Sequence, residues 1–479
     1  MLRIDGRPRA ACDGWSRRTL LEAAGAGLFG LSLPRLLEAE AVAPPVRRRA
    51  IAVIFVNLFG GPSQLETFDL KPEAPEKIRG PFRPIASRTP GLLLSERLPL
   101  LAQVSDRFCV IRTMTHPYND HSGAAHYIQT GKMWQVPIGG GFSPTPGDWP
   151  AIGSVVEYCA QREPRRTTAD LPSYAVVPNS LGRLQEAGQY RRPGEHAGWL
   201  GRRYNPLTTQ VDKKDLTDNP YWRDCSDEEL TFQVEGLAPT EGLCLDRMSR
   251  RVSLLEQFDT ARRRLDQSSA PLEFDRFRQR ALALVSSELI RDALDIRREP
   301  AALRDRYGRN LFGQSALIAR RLVEAGVRFV TVHYDSCDGY GWDSHIHSDD
   351  VRDHLLPTFD RGMSALLTDL DDRGMLAETL VVALGEMGRT PQASSRWGRG
   401  HWSTLFPAVV AGAGVRGGTV FGSSDKDAAF PIDHPVSPEN LAATIYEALG
   451  IPLDLRLPDP QGRPIPLVAD VSPIRQIFS

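Results

Sequence analysis

The sequence predicts an α/β protein built on a doubly wound, mainly parallel sheet with helices on both faces. Short, continuously apolar and β-branched runs predict strands that are buried on both sides. Amphipathic patterns between several of these runs predict helices, and this alternation is typical of a doubly wound sheet. Ligands bind such sheets at the carboxyl ends of the strands, and polar clusters follow several of the predicted strands.

The first predicted strand, residues 51–57, reads IAVIFVN and leads into a Gly-Gly-Pro-Ser turn. Five later runs have the same apolar character and predict strands at 108–112, 174–177, 328–333, 379–384 and 406–411. Four amphipathic patterns predict helices at 151–160, 311–325, 351–373 and 437–449. Two stretches rich in Gly, Pro, Arg and Asn, 139–150 and 190–220, predict long loops.

The N-terminus has the three parts of an export signal. Arg17 and Arg18 precede a weakly apolar, Gly/Ala-rich run at 22–33, and small residues around Ala41 form a cleavage site. Paired arginines before such a run indicate the twin-arginine export machinery, which carries folded proteins. The alternative is an ordinary basic N-terminus. We therefore expect an exported protein, periplasmic or extracellular, with no stable membrane span.

These features predict the organisation of the whole chain. Residues 1–41 are the predicted signal, 42–50 a spacer, and 51–470 a single α/β domain. Within this domain, the highly charged and Gly-poor stretch at about 243–306 predicts a helical insertion.

Charge and cysteine content exclude some classes of function. The chain has 58 basic and 59 acidic residues, so no global field favours nucleic acid. Five cysteines remain after Cys12 in the predicted signal, and their spacing is not that of a disulfide framework. Cys225 and Cys244 are one candidate pair, and the alternative is isolated buried thiols.

Three groups of histidines follow predicted strands. His116, His121 and His126 lie in the first group, His345 in the segment Trp-Asp-Ser-His, and His401 in Gly-Arg-Gly-His. Imidazole and carboxylate groups that converge from several loops form sites for divalent metals. A single histidine is more often structural, but three clusters at one sheet edge predict a metal site.

Asp343 and His345 lie on the same side of the chain if their segment is extended. The alternative is that Asp343 and Ser344 begin a turn or cap the following helix, but a cap would not need the histidine. Glu386 comes directly after the predicted strand 379–384, where a carboxylate can coordinate a cation. Arg389 has the geometry to hold a tetrahedral anion, and the alternative for Glu386 and Arg389 is a surface ion pair.

Several phrases together resemble the DUF1501 family. They are GGPSQLETFDLKP from Gly60, NDHSG from Asn119, YG…FGQS from Tyr307, WDSH from Trp342, GEMGRTP from Gly385, and GRGH from Gly398. The resemblance covers residues 51–452. It places the chain with the alkaline phosphatase and sulfatase superfamily, which uses metal ions to hydrolyse phosphate or sulfate esters.

This resemblance implies roles for particular residues. Asp343, His345 and His401 are the implied ligands of one metal, and Glu386 stands near the position of a second-metal carboxylate. The metal implied is divalent: zinc, calcium, manganese or iron. The segment 119–131 is similar to the sulfatase segment that carries the nucleophile, which places His121 at the nucleophile position with Ser122 beside it. Arg389 completes the implied catalytic set.

The sequence also departs from the family pattern, because Gln64, Glu66 and Gly400 stand where relatives usually have His, Asp and Asp. Asp69 remains as a carboxylate in the first loop, with a turn role as its alternative. Two hypotheses follow. One is a metal-dependent hydrolase of a small-molecule or polysaccharide ester. The other is a non-catalytic binding or assembly protein with a degenerate metal site. For this second hypothesis, the family resemblance implies a secreted cytochrome-type partner.

Overall fold

The computed structural model describes residues 48–135, 143–163, 171–178, 193–211, 218–234, 287–334 and 341–479. Residues 48–479 form one compact unit. The predicted export signal, residues 243–286 of the predicted insertion, Cys244 and Cys337 lie outside the described residues. The structure therefore leaves the export signal and the Cys225–Cys244 pair as predictions.

A nine-stranded sheet forms the centre of this unit. Its strands, in chain order, are β1 (Ala52–Asn57), β2 (Phe108–Met114), β3 (Tyr174–Val177), β4 (Leu207–Gln210), β5 (Gln233–Val234), β6 (Phe329–His333), β7 (Thr379–Leu384), β8 (Phe406–Ala411) and β9 (Thr419–Phe421). Across the sheet they run in the order β9-β2-β8-β7-β1-β6-β3-β4-β5. Short hairpins outside this sheet pair Pro84–Ala86 with Leu93–Ser95, Gly388–Arg389 with His401–Trp402, Ser423–Ser424 with Pro431–Asp433, and Arg456–Pro458 with Pro464–Pro466.

The sheet is mainly parallel. Strand β1 pairs in parallel with β6 and β7, and the parallel pairing continues through β3 to β4. Strand β8 is antiparallel to both of its neighbours, and the edge strand β5 is antiparallel to β4. In register, Asn57 stands opposite His333 and Leu384, so the carboxyl ends of β1, β6 and β7 meet at one edge.

Helices cover both faces of the sheet. They are α1 (Glu76–Arg79), α2 (Pro99–Gln103), α3 (His121–Thr130), α4 (Ile152–Ala160), α5 (Glu288–Leu294), α6 (Ala301–Tyr307), α7 (Leu311–Glu324), α8 (Leu356–Asp372) and α9 (Pro438–Ala448). One π-helical turn, Val351–Leu355, leads into α8. Apolar side chains of α7 and α8 pack on one face of β1, and those of α3, α4 and α9 form the core on the other.

The predicted fold class is confirmed. All six predicted strands and all four predicted helices are present within one or two residues of their expected ends. Continuous apolar runs allow only elements that are buried on both sides, which explains this agreement. The loop prediction for 190–220 is partly wrong, because it contains β4, whose LTTQ sequence carries a weak apolar signal. The described part of the predicted helical insertion contains helix α5 and most of helix α6.

Among the described residues, no helix has both the length and the apolar character that a membrane crossing requires.

Gly131 ends α3 in the left-handed conformation, with φ of 64°. A side chain there would also collide with Ala442 of α9. We expect Gly131→Ala to lower the free energy of unfolding by at least about 2 kcal/mol, since backbone strain and overpacking add. Gly374→Ala is the matched control, because Gly374 has φ of 71° and no atom within 4 Å of the added carbon. Urea denaturation compares the two, and equal losses would contradict the packing argument.

Candidate metal centre

Helix α3 begins at the site, because the residue that caps it, Asp120, directly precedes it in the chain. The Asp120 side chain accepts a hydrogen bond from Gly123 N at 2.8 Å, which fixes the first turn and makes His121 the first helical residue. The other histidines of this segment are structural. His116 Nε2 lies 2.6 Å from Glu386 O, His126 Nδ1 lies 3.0 Å from Lys132 O, and burial lowers the pKa of each to about 4.

The loop after β6 brings Asp343 and His345 to the same edge. It packs directly on the loop after β1, where Gly60 has φ of 111° and a Cβ atom would come within 2.7 Å of Asp343 N. Glycine at this position therefore permits the close approach of the two loops. Asp343 does not cap the following helix, because helical structure begins only at Asp349, six residues later. The capping alternative is excluded.

Three imidazoles converge on one carboxylate oxygen. Asp343 Oδ1 lies 3.2 Å from His121 Nε2, 2.9 Å from His345 Nε2 and 3.2 Å from His401 Nε2. The Nε2 atoms of His345 and His401 are 2.9 Å apart. Three elements that are far apart in sequence thus supply one group of ring nitrogens and a carboxylate.

Two of the three imidazoles are held with Nε2 facing this group. His121 Nδ1 lies 2.5 Å from Glu386 Oε1, and His401 Nδ1 lies 2.8 Å from Asn119 O. Both partners are acceptors, so they assign a proton to Nδ1 and leave Nε2 as the atom that would bind a metal in place of a proton. This backing of a histidine by a carboxylate or a carbonyl is typical of metal ligands.

The carboxylates and imidazoles of the site stabilise each other's charged forms. Burial alone would raise the pKa of Asp343, but the neighbouring imidazoles of His121, His345 and His401 hold it well below its usual range. Burial also lowers the pKa of His121, but the carboxylates of Asp343 and Glu386 outweigh that effect and raise it to about 9. Both shifts have the same origin, which is the attraction between these carboxylates and the imidazoles beside them.

The donor set fits a divalent metal. One ligand atom each from His121, Asp343 and His401 lies within 4.8 Å of the others. His121 Nε2 is buried and lies 3.2 Å from Asp343 Oδ1, but it makes no hydrogen bond of good geometry within the described residues. A buried nitrogen without a well-formed hydrogen bond is costly unless it meets a water or an ion. His345 extends the group toward solvent, with its side chain 46% exposed.

Glu386 and Arg389 support the group from behind. Both are completely buried, so the alternative of a surface ion pair is wrong. Glu386 accepts hydrogen bonds from Gly60 N at 2.9 and 3.0 Å as well as meeting His121. Arg389 lies 2.7 Å from Asp343 Oδ1, and its remaining donors contact the carbonyl oxygens of Gly60, Gly61 and Arg399.

The remaining sequence candidates lie around this core. Ser122 is buried at the second position of α3. Gln64 bonds the backbone of Arg389 and Ala428, and Glu66 pairs with Arg399 at 2.8 Å. Asp69 pairs with Lys71 at 3.0 Å rather than joining the histidines. Gln64 and Glu66 thus hold the neighbouring backbone and Arg399 in place.

Sequence reasoning missed three contributions: Asn119, Gly60 and the support of His121 by Glu386. The only local signal was the Asn-Asp-His-Ser-Gly segment, where Asp120 followed by Gly123 indicates a helix start. The backbone contacts of Asn119 and Gly60 have no sequence signature.

We expect Glu386→Gln to weaken binding of zinc or manganese about 10–100-fold, the range typical when a carboxylate behind a metal-binding histidine is lost. The amide keeps the shape but loses the charge that orients His121. Titration calorimetry on the purified chain measures the change. Glu288→Gln, at an acid whose side chain is 87% exposed, is the control and should bind as wild type. Equal affinity in both variants would refute the supporting role of Glu386.

Comparison with known families adds to this geometry. Residues 50–478 match the family described as "Protein of unknown function (DUF1501)". This chain belongs to the DUF1501 family. The match spans nearly the whole described unit, and the predicted resemblance is confirmed. No curated protein matches the DUF1501 chain.

Several solved structures are distant matches to the DUF1501 chain. A sulfatase from Pseudoalteromonas sp. is 12% identical, with a TM-score of 0.35, over 90% of this chain and 71% of that one. A phosphonate monoester hydrolase from Silicibacter pomeroyi is 11% identical, with a TM-score of 0.33, over 89% and 76%. An alkaline phosphatase from the Antarctic bacterium TAB5 is 12% identical, with a TM-score of 0.28, over 80% and 96%.

Proposed function

We propose that this DUF1501 protein binds one divalent metal ion through His121, Asp343, His345 and His401 and is a metal-dependent hydrolase of sulfate or phosphate esters. One observation supports the metal proposal most directly: the Nε2 atoms of His121, His345 and His401 all lie 2.9 to 3.2 Å from one oxygen of the Asp343 carboxylate. Three imidazoles and one carboxylate favour zinc, iron or manganese over calcium, which prefers oxygen ligands.

The chain's own residues would divide the work as follows. Asp343 supplies the negative charge, Arg389 orients Asp343, and Glu386 holds the His121 ring. A bound divalent cation supplies Lewis-acid catalysis, which stabilises the charge of the transferring group. Ser122 stays the candidate nucleophile at the start of α3, where helix N–H groups favour an anion. The ester class rests on the superfamily placement implied by the motifs.

The testing experiment is elemental analysis followed by a substrate screen. The full chain, expressed with zinc, manganese and iron in turn and then dialysed, should retain a stoichiometric ion. The loaded protein should hydrolyse at least one member of a panel of aryl sulfates, phosphate monoesters and phosphonate esters, and Ser122→Ala should abolish that turnover if Ser122 is the nucleophile. A metal-free protein would refute the metal proposal.

A non-catalytic binding or assembly protein is the second candidate. The observation in its favour is that Arg389, the predicted anion clamp, has its donors engaged by backbone carbonyls and Asp343. Stoichiometric metal together with a silent ester panel would favour this candidate. Pull-down of secreted cytochromes from the native host, with the Asp343→Ala variant as control, would then test the assembly role. Export by the twin-arginine route belongs to both candidates.

A further inference from the structure

A cavity lies between α1, the segment that follows it and the loop that carries Trp397. It has a volume of about 320 Å³, in the range of small-ligand sites. Its wall includes Lys71, Glu76, Arg79, Arg83 and Trp397. Three cationic side chains and one acidic side chain thus surround a pocket that is also lined by two aromatic residues, Phe82 and Trp397.

Two of these cations are available to a ligand. The side chains of Arg79 and Arg83 are exposed, and neither makes an ion pair or side-chain hydrogen bond within the described part of the chain. Lys71 is already engaged, since it lies 3.0 Å from Asp69 and donates to Ser424 at 2.8 Å. Guanidinium groups bind sulfate, phosphate and carboxylate bidentately. The pocket therefore attracts an anionic group.

The aromatic ring of Trp397 is held in place at a strained position. Trp397 has φ of 71°, a conformation that costs a bulky residue energy and often marks a functional site. Lys77 Nζ lies 5.3 Å from the centre of the indole, and Ala393 N donates to Lys77 O at 2.9 Å. The loop that carries Trp397 is thus attached to α1, and its ring offers a stacking surface in the pocket.

The pocket wall is joined to the metal centre by a short backbone path. Trp397 precedes His401 by four residues in the chain. Between them, Arg399 N donates to Ser344 O at 2.9 Å, next to Asp343 and His345, while Arg399 Nη2 donates to Ile78 O at 2.9 Å in α1. The cavity and the metal-binding loops therefore share one rigid segment.

We propose that this cavity is a subsite for an anionic saccharide, a sugar unit that bears a sulfate or phosphate group. Arg79 and Arg83 would bind the anion, and the sugar ring would pack on Trp397. A nucleotide fits less well, because the polar side chains of the wall are all charged and include no amide to read the edge of a base. This inference rests on the proposed function, since it names the substrate class of the same site.

The test is binding of defined probes to the full chain by titration calorimetry. A chondroitin sulfate tetrasaccharide should bind, while unsulfated chondroitin, tripolyphosphate and adenosine monophosphate should bind at least ten times more weakly. Arg79→Gln with Arg83→Gln, and separately Trp397→Ala, should each reduce the affinity for the sulfated probe at least tenfold. Arg88→Gln with Arg291→Gln removes the same charge from paired surface arginines and should bind as wild type.

Each other outcome overturns the proposal or part of it. Unchanged affinity in the Arg79/Arg83 variant would exclude the cavity. A Trp397→Ala variant that binds like wild type, or tripolyphosphate or adenosine monophosphate that binds as tightly as the sulfated probe, would exclude a saccharide. Metal content is measured on the same samples: loss of sugar binding with metal retained supports the subsite, whereas a metal-free wild type that still binds sugar refutes only the proposed function.

Discussion

Asp343→Ala is expected to weaken metal binding more than about 100-fold, beyond the 10–100-fold typical of losing a group behind a ligand. The reason is geometric: a single oxygen of Asp343 faces His121, His345 and His401 at 2.9 to 3.2 Å. Without it, His345, His401 and the buried Arg389 lose their opposing charge, and only His121 still faces a carboxylate, that of Glu386. Elemental analysis of the dialysed variant should find no stoichiometric metal.

A neighbouring acid provides the control for this experiment. Asp349 lies in the same segment, with its side chain 48% exposed, 3.8 Å from His347 and outside the Asp343 group. Asp349→Ala should keep its metal. Asp343→Asn, which preserves volume, separates loss of charge from loss of packing, and circular dichroism checks that each variant folds. Metal retained by both Asp343 variants would show that the ion lies elsewhere.

Arg399→Met is expected to lower the free energy of unfolding by about 3–5 kcal/mol, the cost of leaving a buried charge without its partner. Arg399 and Glu66 are each about 1% exposed and lie 2.8 Å apart. Removing the guanidinium leaves the Glu66 carboxylate in a space that water does not reach. Urea denaturation followed by tryptophan fluorescence measures the loss.

A double-mutant cycle distinguishes this explanation from simple loss of packing. Glu66→Leu alone should be comparably destabilising, and the double variant should lose clearly less than the two single losses added together, because no unpaired charge remains. Arg88→Met breaks an exposed pair, 3.5 Å from Asp106, and should change stability by less than about 1 kcal/mol. Strict additivity in the cycle would contradict a coupled ion pair.

The sequence identified the residues of the candidate site better than the contacts that these residues make. Asp343, His345 and His401 were singled out as implied metal ligands and His121 at the implied nucleophile position, and the structure brings all four together. The sequence predicted that Glu386 coordinates the metal and that Arg389 binds an anion. In the structure Glu386 contacts His121 and Arg389 contacts Asp343, since both lie beneath the group rather than in it.

Sequence alone determined the fold class. Continuous apolar runs indicate strands that are buried on both faces, and amphipathic repeats indicate helices that bury one face against the sheet. It also determined which residue types follow the strands. Only the tertiary structure decided which of them meet. His121, Asp343 and His401 come from three segments that are far apart in the sequence, and their approach depends on strand order and on backbone contacts such as those of Asn119 and Gly60. Local periodicity carries no record of such long-range contacts.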